Sequence, residues 1–404
     1  MRLRIKDICD YVSRGTTPDY VDEGANKVMN QATFSKGWID ESNIRYTSKT
    51  NKGARIMKGD LLMASTGGGV LGKVFFFDDD DSFYADSHVT IMRNSKGANL
   101  MKYLYYYFYL RYDEINATMV KGSTNQTELQ RNYLLSYELD VPTLADQQRM
   151  VTYLDTKLSE IDHQVSLLTS KRDAYLRLKK SIINHAVTRG LNPNVKMKDS
   201  GIEWPGEVPE HWEVKRMKNV VECNAKSLGE NTPKDSIIKY VEISDVDHVH
   251  GINNIQSLMF GEAPSRARRI TQKGDIIIST VRTYLKAIAK IEDDDIIVST
   301  GFAVLHPTKC NGEYLAYYIL SESFINRVEM LSKGTSYPAI NASDLVSINV
   351  LIPPLPEQNA IATYLDDKCA KIDTIVSNLD KQISRYGDLK RSLIDEVITG
   401  KRAV

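Results

Sequence analysis

The stretch Thr152-Tyr153-Leu154-Asp155 returns 211 residues later as Thr363-Tyr364-Leu365-Asp366. The match extends well beyond these four residues. Sixteen of the 37 positions in Thr152–Thr188 are identical to those in Thr363–Thr399, with no gap. Chance does not produce identity at this density, so the chain contains an internal repeat.

Both copies of the repeat have the apolar spacing of a long helix. In the second copy, apolar or aromatic residues recur in alternating steps of four and three from Leu365 to Tyr386, which is the spacing of a coiled-coil seam. The first copy has the same seam with a break at Arg172. Proline precedes each segment and glycine (Gly190, Gly400) follows it, as at helix ends. We therefore expect two helices of about 40 residues, each about 60 Å long, that bury their seams against each other. The predicted seam residues are Leu154, Leu158, Ile161, Val165, Leu168, Leu365, Ile372, Val376, Leu379 and Ile383.

The regions before the two helices repeat more faintly. Lys58–Met63 matches Lys273–Ile278 in its pattern of residues, and an acidic run follows in both regions. Gly72–Phe77 has the composition of a strand, whereas Tyr103–Tyr112 has that of a helix. The predicted fold class is therefore α+β, with two globular domains alternating with two long helices. The predicted boundaries are a first globular domain at 1–145, a first long helix at 146–190, a linker at 191–211, a second globular domain at 212–355 and a second long helix at 356–404.

The charge and cysteine content exclude some classes of protein. The 404-residue chain carries 52 Lys and Arg and 52 Asp and Glu, so its formal net charge is zero. This balance excludes a uniformly basic surface but allows a local basic groove beside acidic faces. The four cysteines are scattered without zinc-ligand spacing, which indicates reduced thiols. With neither a signal peptide nor a membrane-spanning run in the sequence, we expect a cytoplasmic protein.

One segment is similar in sequence to a phosphate-binding loop. Gly67–Lys73 fits the first seven positions of that motif, but Val74 replaces the Ser or Thr that would bind magnesium. A phosphate-binding loop must also open a helix, and the residues after Val74 favour a strand. We therefore predict a glycine-rich connection between two strands.

Other polar clusters are predicted to have no catalytic role. The acidic and histidine side chains between residues 245 and 250 alternate in a polar stretch, which predicts a solvated loop rather than a metal site. The acidic runs Asp78–Asp81 and Glu292–Asp295 follow strand-like segments, which favours exposed turns. No Ser/His/Asp or Cys/His arrangement matches a catalytic motif. We expect neither a catalytic site nor a bound metal in this chain.

Two further stretches carry a family resemblance. Gly201–Arg216, which reads Gly-Ile-Glu-Trp-Pro-Gly-Glu-Val-Pro-Glu-His-Trp-Glu-Val-Lys-Arg, resembles the linker of the specificity subunits of type I restriction–modification systems. Pro353-Pro354-Leu355-Pro356-Glu357-Gln358, leading into Ile361–Asp366, resembles the entrance to their conserved helices. With the repeat, the resemblance covers the whole chain.

The resemblance implies a DNA-recognition subunit that makes no covalent chemistry. Each globular domain would read one half of a bipartite sequence in double-stranded DNA, and unlike halves would read an asymmetric target. The two helices would pack antiparallel about a pseudo-twofold axis, fix the spacer between the half-sites and dock two modification (methyltransferase) subunits, which restriction (motor-nuclease) subunits join. S-adenosylmethionine, ATP and magnesium would belong to those partners, and we expect no cofactor in this chain. Because Met1 lies close to the start of the first domain, we expect no N-terminal extension for partner contact.

The residues that contact DNA are predicted from their type and their place in the repeat. Polar and cationic side chains on loops read base edges, and Lys and Arg bind phosphates. The best candidates lie on two matched loops, and a second set lies on a basic stretch of the second domain. The matched loops contain Lys121, Ser123, Thr124, Asn125 and Gln126 in the first domain and Lys333, Thr335, Ser336 and Tyr337 in the second. The second set is Arg266, Arg268, Arg269, Arg282 and Tyr284.

Two other functions remain open from the sequence. The zero net charge fits a protein–protein scaffold, and Gly67–Lys73 allows a nucleotide hydrolase. The basic face of the first helix, at Lys171, Arg172, Arg177, Lys179 and Lys180, fits either a track for the spacer phosphates or a solvated surface. Steep loss of affinity with salt would distinguish DNA binding from a scaffold.

Overall fold

The two repeat segments form helices in a computed structural model that describes residues 1–95, 97–122, 127–201, 206–248 and 250–404. The first long helix spans Leu144–Arg189 and the second spans Leu355–Ile398. A buried glutamine fixes each entrance, because Gln147 Nε2 donates to the Pro142 carbonyl at 2.8 Å and Gln358 Nε2 donates to the Pro353 carbonyl at 2.7 Å. Gly190 and Gly400 follow the helices with φ of 74°, the left-handed conformation that commonly ends a helix.

The chain divides into two units, and each unit contains parts of both long helices. The first unit comprises Met1–Leu168 and Lys381–Val404, and the second comprises Thr169–Asp380. Both boundaries therefore fall inside a helix rather than between domains. The five-part division of the sequence at 145, 190, 211 and 355 stays a prediction.

The first unit is built on two sheets whose strands alternate along the chain. One sheet is antiparallel throughout, and the other contains a parallel pair between Asn26–Met29 and Phe83–Ala85. In sheet order, the antiparallel sheet is Tyr11–Arg14, Val89–Arg93, Leu61–Ala64 and Val74–Phe76, and the mixed sheet is Tyr20–Val21, Arg45–Thr47, Asn26–Met29, Phe83–Ala85 and Arg55–Ile56. Two-stranded pairs join Arg2–Arg4 to Glu138–Asp140 and Val120–Lys121 to Glu128–Leu129.

The first unit also contains shorter helices besides its segments of the two long ones. They are Ile5–Ile8, Gln31–Phe34, Ala98–Tyr109, Tyr112–Thr118 and Arg131–Ser136, with 3-10 turns at Glu41–Asn43 and Lys52–Ala54. The apolar side of Ala98–Tyr109 shares one core with the first long helix, through Leu154 and Leu158, and with the second, through Leu393 and Val397. Because these side chains are buried together, the globular domain and the two helix segments form one folded body.

The second unit repeats the four-stranded antiparallel sheet and the mixed sheet, although its mixed sheet has four strands where that of the first unit has five. Its antiparallel sheet is Val221–Cys223, Phe302–Pro307, Ile276–Ser279 and Ile288–Lys290, and its mixed sheet is Gln256–Met259, Ile237–Val241, Ile296–Ser299 and Ala267–Ile270. The parallel pair is again present, between Ile237–Val241 and Ile296–Ser299. Two-stranded pairs join Met197–Asp199 to Glu207–Pro209, Glu213–Arg216 to Asn349–Ile352 and Val246–Asp247 to Gly251–Ile252. The helices are Gly312–Ile319, Glu322–Leu331 and Ala342–Leu345, with 3-10 turns at Met217–Asn219, Ile243–Asp245 and Thr283–Leu285.

Each unit holds its helix segments antiparallel through equivalent contacts. In the first unit, Lys390 Nζ lies 2.8 Å from Asp162 Oδ1. In the second, Lys179 Nζ lies 2.7 Å from Asp373 Oδ1. Both residues of one pair are shifted by 211 positions from their counterparts in the other. Such exposed ion pairs each contribute about 0–1 kcal/mol, so they fix register more than stability.

The contacts between domain and helix follow the same shift. Tyr106 OH donates to Asp155 Oδ1 at 2.5 Å in the first unit, and Tyr317 OH donates to Asp366 Oδ1 at 2.8 Å in the second. The internal repeat therefore extends to individual hydrogen bonds. The predicted fold class, α+β domains alternating with two antiparallel long helices, is confirmed.

Several local expectations met different outcomes. The predicted strand within Gly72–Phe77 is confirmed as Val74–Phe76. Arg172 interrupts the apolar spacing of the first long helix, as its sequence shows, and the helix continues through that position. Arg172 sits in the seam partly buried and makes ion pairs with Asp173 and Asp380, so its charge is compensated there. The segment at 191–211, which has little periodicity, contains an antiparallel pair of strands.

The predicted seam positions differ in burial. Leu154, Leu158, Ile161, Leu365, Ile372 and Leu379 are buried, whereas Val165, Leu168, Val376 and Ile383 are half-buried. The seam as a complete set stays a prediction.

No helix in the described ranges has the length and hydrophobicity that a membrane crossing needs.

Candidate nucleic-acid interface

In the second unit, the two segments that sequence analysis singled out lie against each other. The Ile340 amide donates to the Thr280 carbonyl at 2.9 Å, and the Thr283 amide donates to the Pro338 carbonyl at 3.3 Å. Lys333 and Ala339 exchange two main-chain hydrogen bonds of 2.8 and 2.9 Å, which close the second segment. We call the segments 280–286 and 333–339 together the second-unit loop pair. Main-chain bonds hold this pair, so its side chains are free to vary.

The side chains of the second-unit loop pair combine one guanidinium with exposed apolar groups. Arg282 stacks over the Tyr337 ring, with 5.0 Å between the guanidinium carbon and the ring centroid. Tyr284 and Tyr337 are exposed, as are Val281 and Leu285. Thr283 is buried between them and donates to Ser332 Oγ at 2.9 Å. The surface thus offers a charge, two rings and two aliphatic groups on a fixed backbone.

The first unit has the same main-chain framework. The Leu129 amide donates to the Ser65 carbonyl at 2.8 Å, and Thr66 and Glu128 form an antiparallel bridge as Val281 and Ala339 do. We call the segments 65–72 and 120–129 the first-unit loop pair. After Thr66, the first segment continues with Gly67, Gly68 and Gly69. After the equivalent Val281, the second unit continues with Arg282, Thr283 and Tyr284.

Polar side chains surround the first-unit loop pair. Thr66 Oγ1 lies 2.7 Å from His88 Nδ1 and donates to Gln31 Oε1 at 3.2 Å. Arg14 pairs with Glu128 and donates to the Ser87 carbonyl. Sequence reasoning missed Arg14, Gln31 and His88, which come from three separate elements. Lys121 is exposed on strand Val120–Lys121, and the other predicted residues of this loop, Ser123, Thr124, Asn125 and Gln126, lie outside the described residues.

The second set of predicted arginines is largely engaged within its own sheet. Arg266 Nε lies 2.7 Å from Glu242 Oε2, which also accepts a hydrogen bond from Tyr240. Arg268 stacks over Phe260, and Arg269 is half-buried on the edge strand Ala267–Ile270. Contact with DNA would have to compete with these partners. Arg282 and Tyr284 differ from them, because they belong to the second-unit loop pair.

Sequences that resembled catalytic motifs have structural explanations. The glycine-rich stretch Gly67–Lys73 connects two antiparallel strands, as predicted, and opens no helix. The Asp247 carboxylate accepts hydrogen bonds from the His250 amide and from Asn253 Nδ2, both at 2.7 Å, as in a closed polar loop. The acidic runs at 78–81 and 292–295 are exposed, as predicted. Within the part of the chain that the structure describes, no three His, Cys, Asp or Glu side chains are grouped as metal ligands would be.

The cysteines have the character of core residues. Burial, together with neighbouring Asp10, raises the pKa of the Cys9 thiol to about 12. Burial also raises the pKa of Cys310 to about 11. At neutral pH these thiols are protonated, and a protonated thiol is a poor nucleophile.

On the first long helix, part of the basic face is already paired. Arg172 and Lys179 bind Asp380 and Asp373 of the second long helix within the second unit. Lys171, Arg177 and Lys180 are exposed. The face therefore supplies fewer free cations than its sequence suggests.

The fold and the paired loops correspond to a known class of protein. The family described as the type I restriction modification DNA specificity domain matches residues 1–167 and 209–385, and the chain belongs to this family. Its role is that of the DNA-specificity subunit of a type I restriction–modification system, as the sequence predicted. That role is recognition and not catalysis, so family membership decides against the hydrolase and the scaffold.

Individual relatives agree with this family. The putative type I restriction enzyme MjaX specificity subunit of Methanocaldococcus jannaschii is 24% identical over 98% of this chain and 92% of its own length. The type I restriction enzyme MjaVIII specificity subunit of the same organism is 22% identical over 88% of this chain and 82% of its own length. A chain from the solved structure described as "Structural basis underlying complex assembly and conformational transition of the type I R-M system" shares the fold, with a TM-score of 0.71 and 16% identity over 98% of this chain and 97% of that one.

Proposed function

We propose that each globular domain reads one half of a split, asymmetric DNA target, with its loop pair as the reading surface. The observation that carries the proposal is that the two loop pairs share one main-chain framework and differ in side chains. Ser65 and Thr280 accept equivalent hydrogen bonds, yet Gly67 of one unit stands where Arg282 stands in the other. A common framework gives both domains the same approach to DNA, and unlike side chains give them unlike sequences to read.

Particular residues carry the reading in each unit. In the second unit, Arg282 and Lys333 supply charge for phosphates or guanine edges, while Tyr284 and Tyr337 supply rings. In the first unit, Lys121 supplies the charge beside the glycine backbone of residues 67–69. Arg266 and Arg268 have a secondary part, because Glu242 and Phe260 compete for them. Arg269 also has a secondary part, because it is half-buried. The remaining proposed contacts are Ser123, Thr124, Asn125, Gln126, Thr335 and Ser336.

The long helices set the spacing and dock the partners. Helices of fixed length turn the distance between two reading domains into a fixed spacer between half-sites, as in other paired DNA readers. Two modification subunits dock on the helices, and restriction subunits join through the complex. S-adenosylmethionine, ATP and magnesium serve those subunits. Support for this part comes from the family resemblance and from the repeated helix contacts.

Selection from random duplex DNA tests the proposal directly. The chain is purified with its modification subunit, and bound duplexes are sequenced after several rounds at two salt concentrations. We expect a split, asymmetric motif with a fixed spacer, and an affinity that falls steeply with salt. An intact complex that enriches no motif would contradict the proposal.

Variants then assign the half-sites. Arg282→Ala with Lys333→Ala should weaken the second half-site, and Lys121→Ala should weaken the first, each lowering the salt slope by about 1 per lost phosphate contact. Lys309→Ala is the matched control, since Lys309 is an exposed cation of the second unit outside the loop pair. Equal losses at both half-sites would overturn the assignment of the loops.

A further inference from the structure

The second-unit loop pair exposes more apolar surface than recognition by hydrogen bonding needs. Tyr337 is 66% exposed, Tyr284 51% and Leu285 42%. Val281 adds a fourth exposed apolar side chain to the same two segments. Exposed apolar groups that cluster in this way commonly mark a contact surface.

The backbone beneath these side chains is held in an uncommon conformation. Arg282 and Lys286, which flank the turn Thr283–Leu285, both have φ of 51°, a region that residues other than glycine rarely adopt. Buried Thr283 anchors the turn through Ser332 and Pro338. Backbone conformations of this kind persist where surrounding contacts enforce them, and they cluster at functional sites. Tyr284 and Leu285 are therefore presented from a rigid turn.

Two cations lie on the same two segments as the exposed apolar groups. The Arg282 guanidinium lies over Tyr337, and Lys333 is exposed at the start of the second segment. Cations beside a protruding apolar edge suit a nucleic acid, which presents phosphates on either side of stacked bases. The two cations Arg282 and Lys333 therefore favour a nucleic acid over an uncharged protein surface as the partner.

In the described part of the first-unit loop pair, no exposed large apolar side chain takes the place of Tyr284 and Leu285. That loop pair continues from Thr66 into three glycines, and Gly68 and Gly69 are exposed backbone. Backbone of this kind can approach DNA closely but has no side chain to place between bases. Any deformation of DNA by apolar side chains would thus belong to the second unit.

We propose that Tyr284 and Leu285 insert between two base pairs of the second half-site and unstack one base step. The inference rests on the proposed function, since it assumes that the loop pair faces DNA. Apolar wedges from other DNA-binding proteins unstack and kink base steps in this way. Recognition at that step then depends on how easily the sequence deforms, as well as on hydrogen bonds to base edges.

The test uses 2-aminopurine, whose fluorescence rises when it is unstacked. After the target has been selected, the base analogue is placed in turn at each position of the second half-site, and fluorescence is read on binding of the whole complex. We expect a several-fold increase at one step and none in the first half-site. Tyr284→Ala with Leu285→Ala should abolish the increase and weaken the second half-site about tenfold, the scale of one stacked base.

Two matched variants keep the test specific. Ile237→Ala with Met259→Ala removes two exposed apolar side chains that face each other across neighbouring strands of the same unit, outside the loop pair, and should retain the increase. Leu285→Met keeps an apolar side chain and should also retain it. A second half-site that is bound tightly with no fluorescence change at any position overturns the inference and leaves the proposed function intact. Loss of the modification subunit from the Tyr284/Leu285 variant would also overturn it, because the patch would then be a protein contact.

Discussion

At the scale of single residues, Glu357 ties the start of the second long helix to the end of the first. Its Oε2 accepts from Trp212 Nε1 at 3.1 Å and lies 2.6 Å from His211 Nε2. Trp212 is fully buried, and a Cβ added at Gly190 would meet Glu357 Oε1 at 3.0 Å and the Trp212 ring at 3.3 Å. Each of these residues belongs to a motif that the sequence analysis identified. The apolar period of the helices does not predict that the Glu357 carboxylate, the Trp212 indole and Gly190 lie in contact.

Replacing Glu357 should therefore destabilise the second unit. Glu357→Ala leaves a buried indole N–H without its partner, which costs about 1–3 kcal/mol. Urea unfolding followed by tryptophan fluorescence measures the loss. The control is Glu210→Ala, which removes only an exposed ion pair with Lys196 and should change the free energy of unfolding by less than about 0.5 kcal/mol. Equal effects of the two substitutions would contradict the role given to Glu357.

We expect the free energy of unfolding to depend on pH because of His248. Burial, with smaller effects of Lys180 and Lys286, lowers the pKa of His248 in the folded chain. Because the unfolded chain then binds more protons as the pH falls through the ordinary histidine range, the free energy of unfolding decreases on acidification from pH 7.5 to pH 5. His248→Gln should make this decrease smaller, as measured by urea unfolding across the same range. Identical pH profiles for the two proteins would rule the effect out.

At the scale of elements, the apolar period predicted both long helices, which span Leu144–Arg189 and Leu355–Ile398 in the structure. The period has a clear physical origin, since one face of each helix is buried in the core of each unit. The order of the strands could not be foreseen in this way. Pairing such as that of Asn26–Met29 with Phe83–Ala85 joins distant segments and depends on tertiary packing. The matched loops at Lys121 and Lys333 were found from the repeat, but their partners at 65–72 and 280–286 needed the fold.

Two equivalent leucines offer a paired test of the helix contacts. Leu154 and Leu365 are both fully buried and lie 211 positions apart. Leu154→Ala should destabilise the first unit and Leu365→Ala the second, each by about 2–5 kcal/mol because a cavity remains. Hydrogen exchange resolves the two units. Leu178→Ala and Leu389→Ala, at equivalent exposed positions, are the controls and should be near neutral. A large effect of either control would show that the seam has been placed wrongly.

At the scale of the whole molecule, each unit combines one globular domain with segments of both long helices. Residues 212–355, the predicted second globular domain, lie within the second unit, so we expect their exchange to leave the contacts of the first unit unaltered. Grafting the corresponding domain of a relative in its place should change one half-site of the selected motif and leave the other half-site and the spacer unchanged. Sequencing of the methylated motif in cells that carry the graft measures this outcome. A change in both half-sites would contradict the assignment of one half-site to each domain.

The paired contacts Asp162–Lys390 and Asp373–Lys179 make each long helix a counterpart of the other. Because each residue of one pair is the counterpart of a residue in the other, each helix holds one aspartate and one lysine of these pairs, Asp162 and Lys179 in the first and Asp373 and Lys390 in the second. Two copies of one helix sequence match each other when they run in opposite directions, as at an isologous interface between identical chains. The repeat therefore uses the same helix contact twice in one chain, once in each unit, while the two loop pairs differ in their side chains.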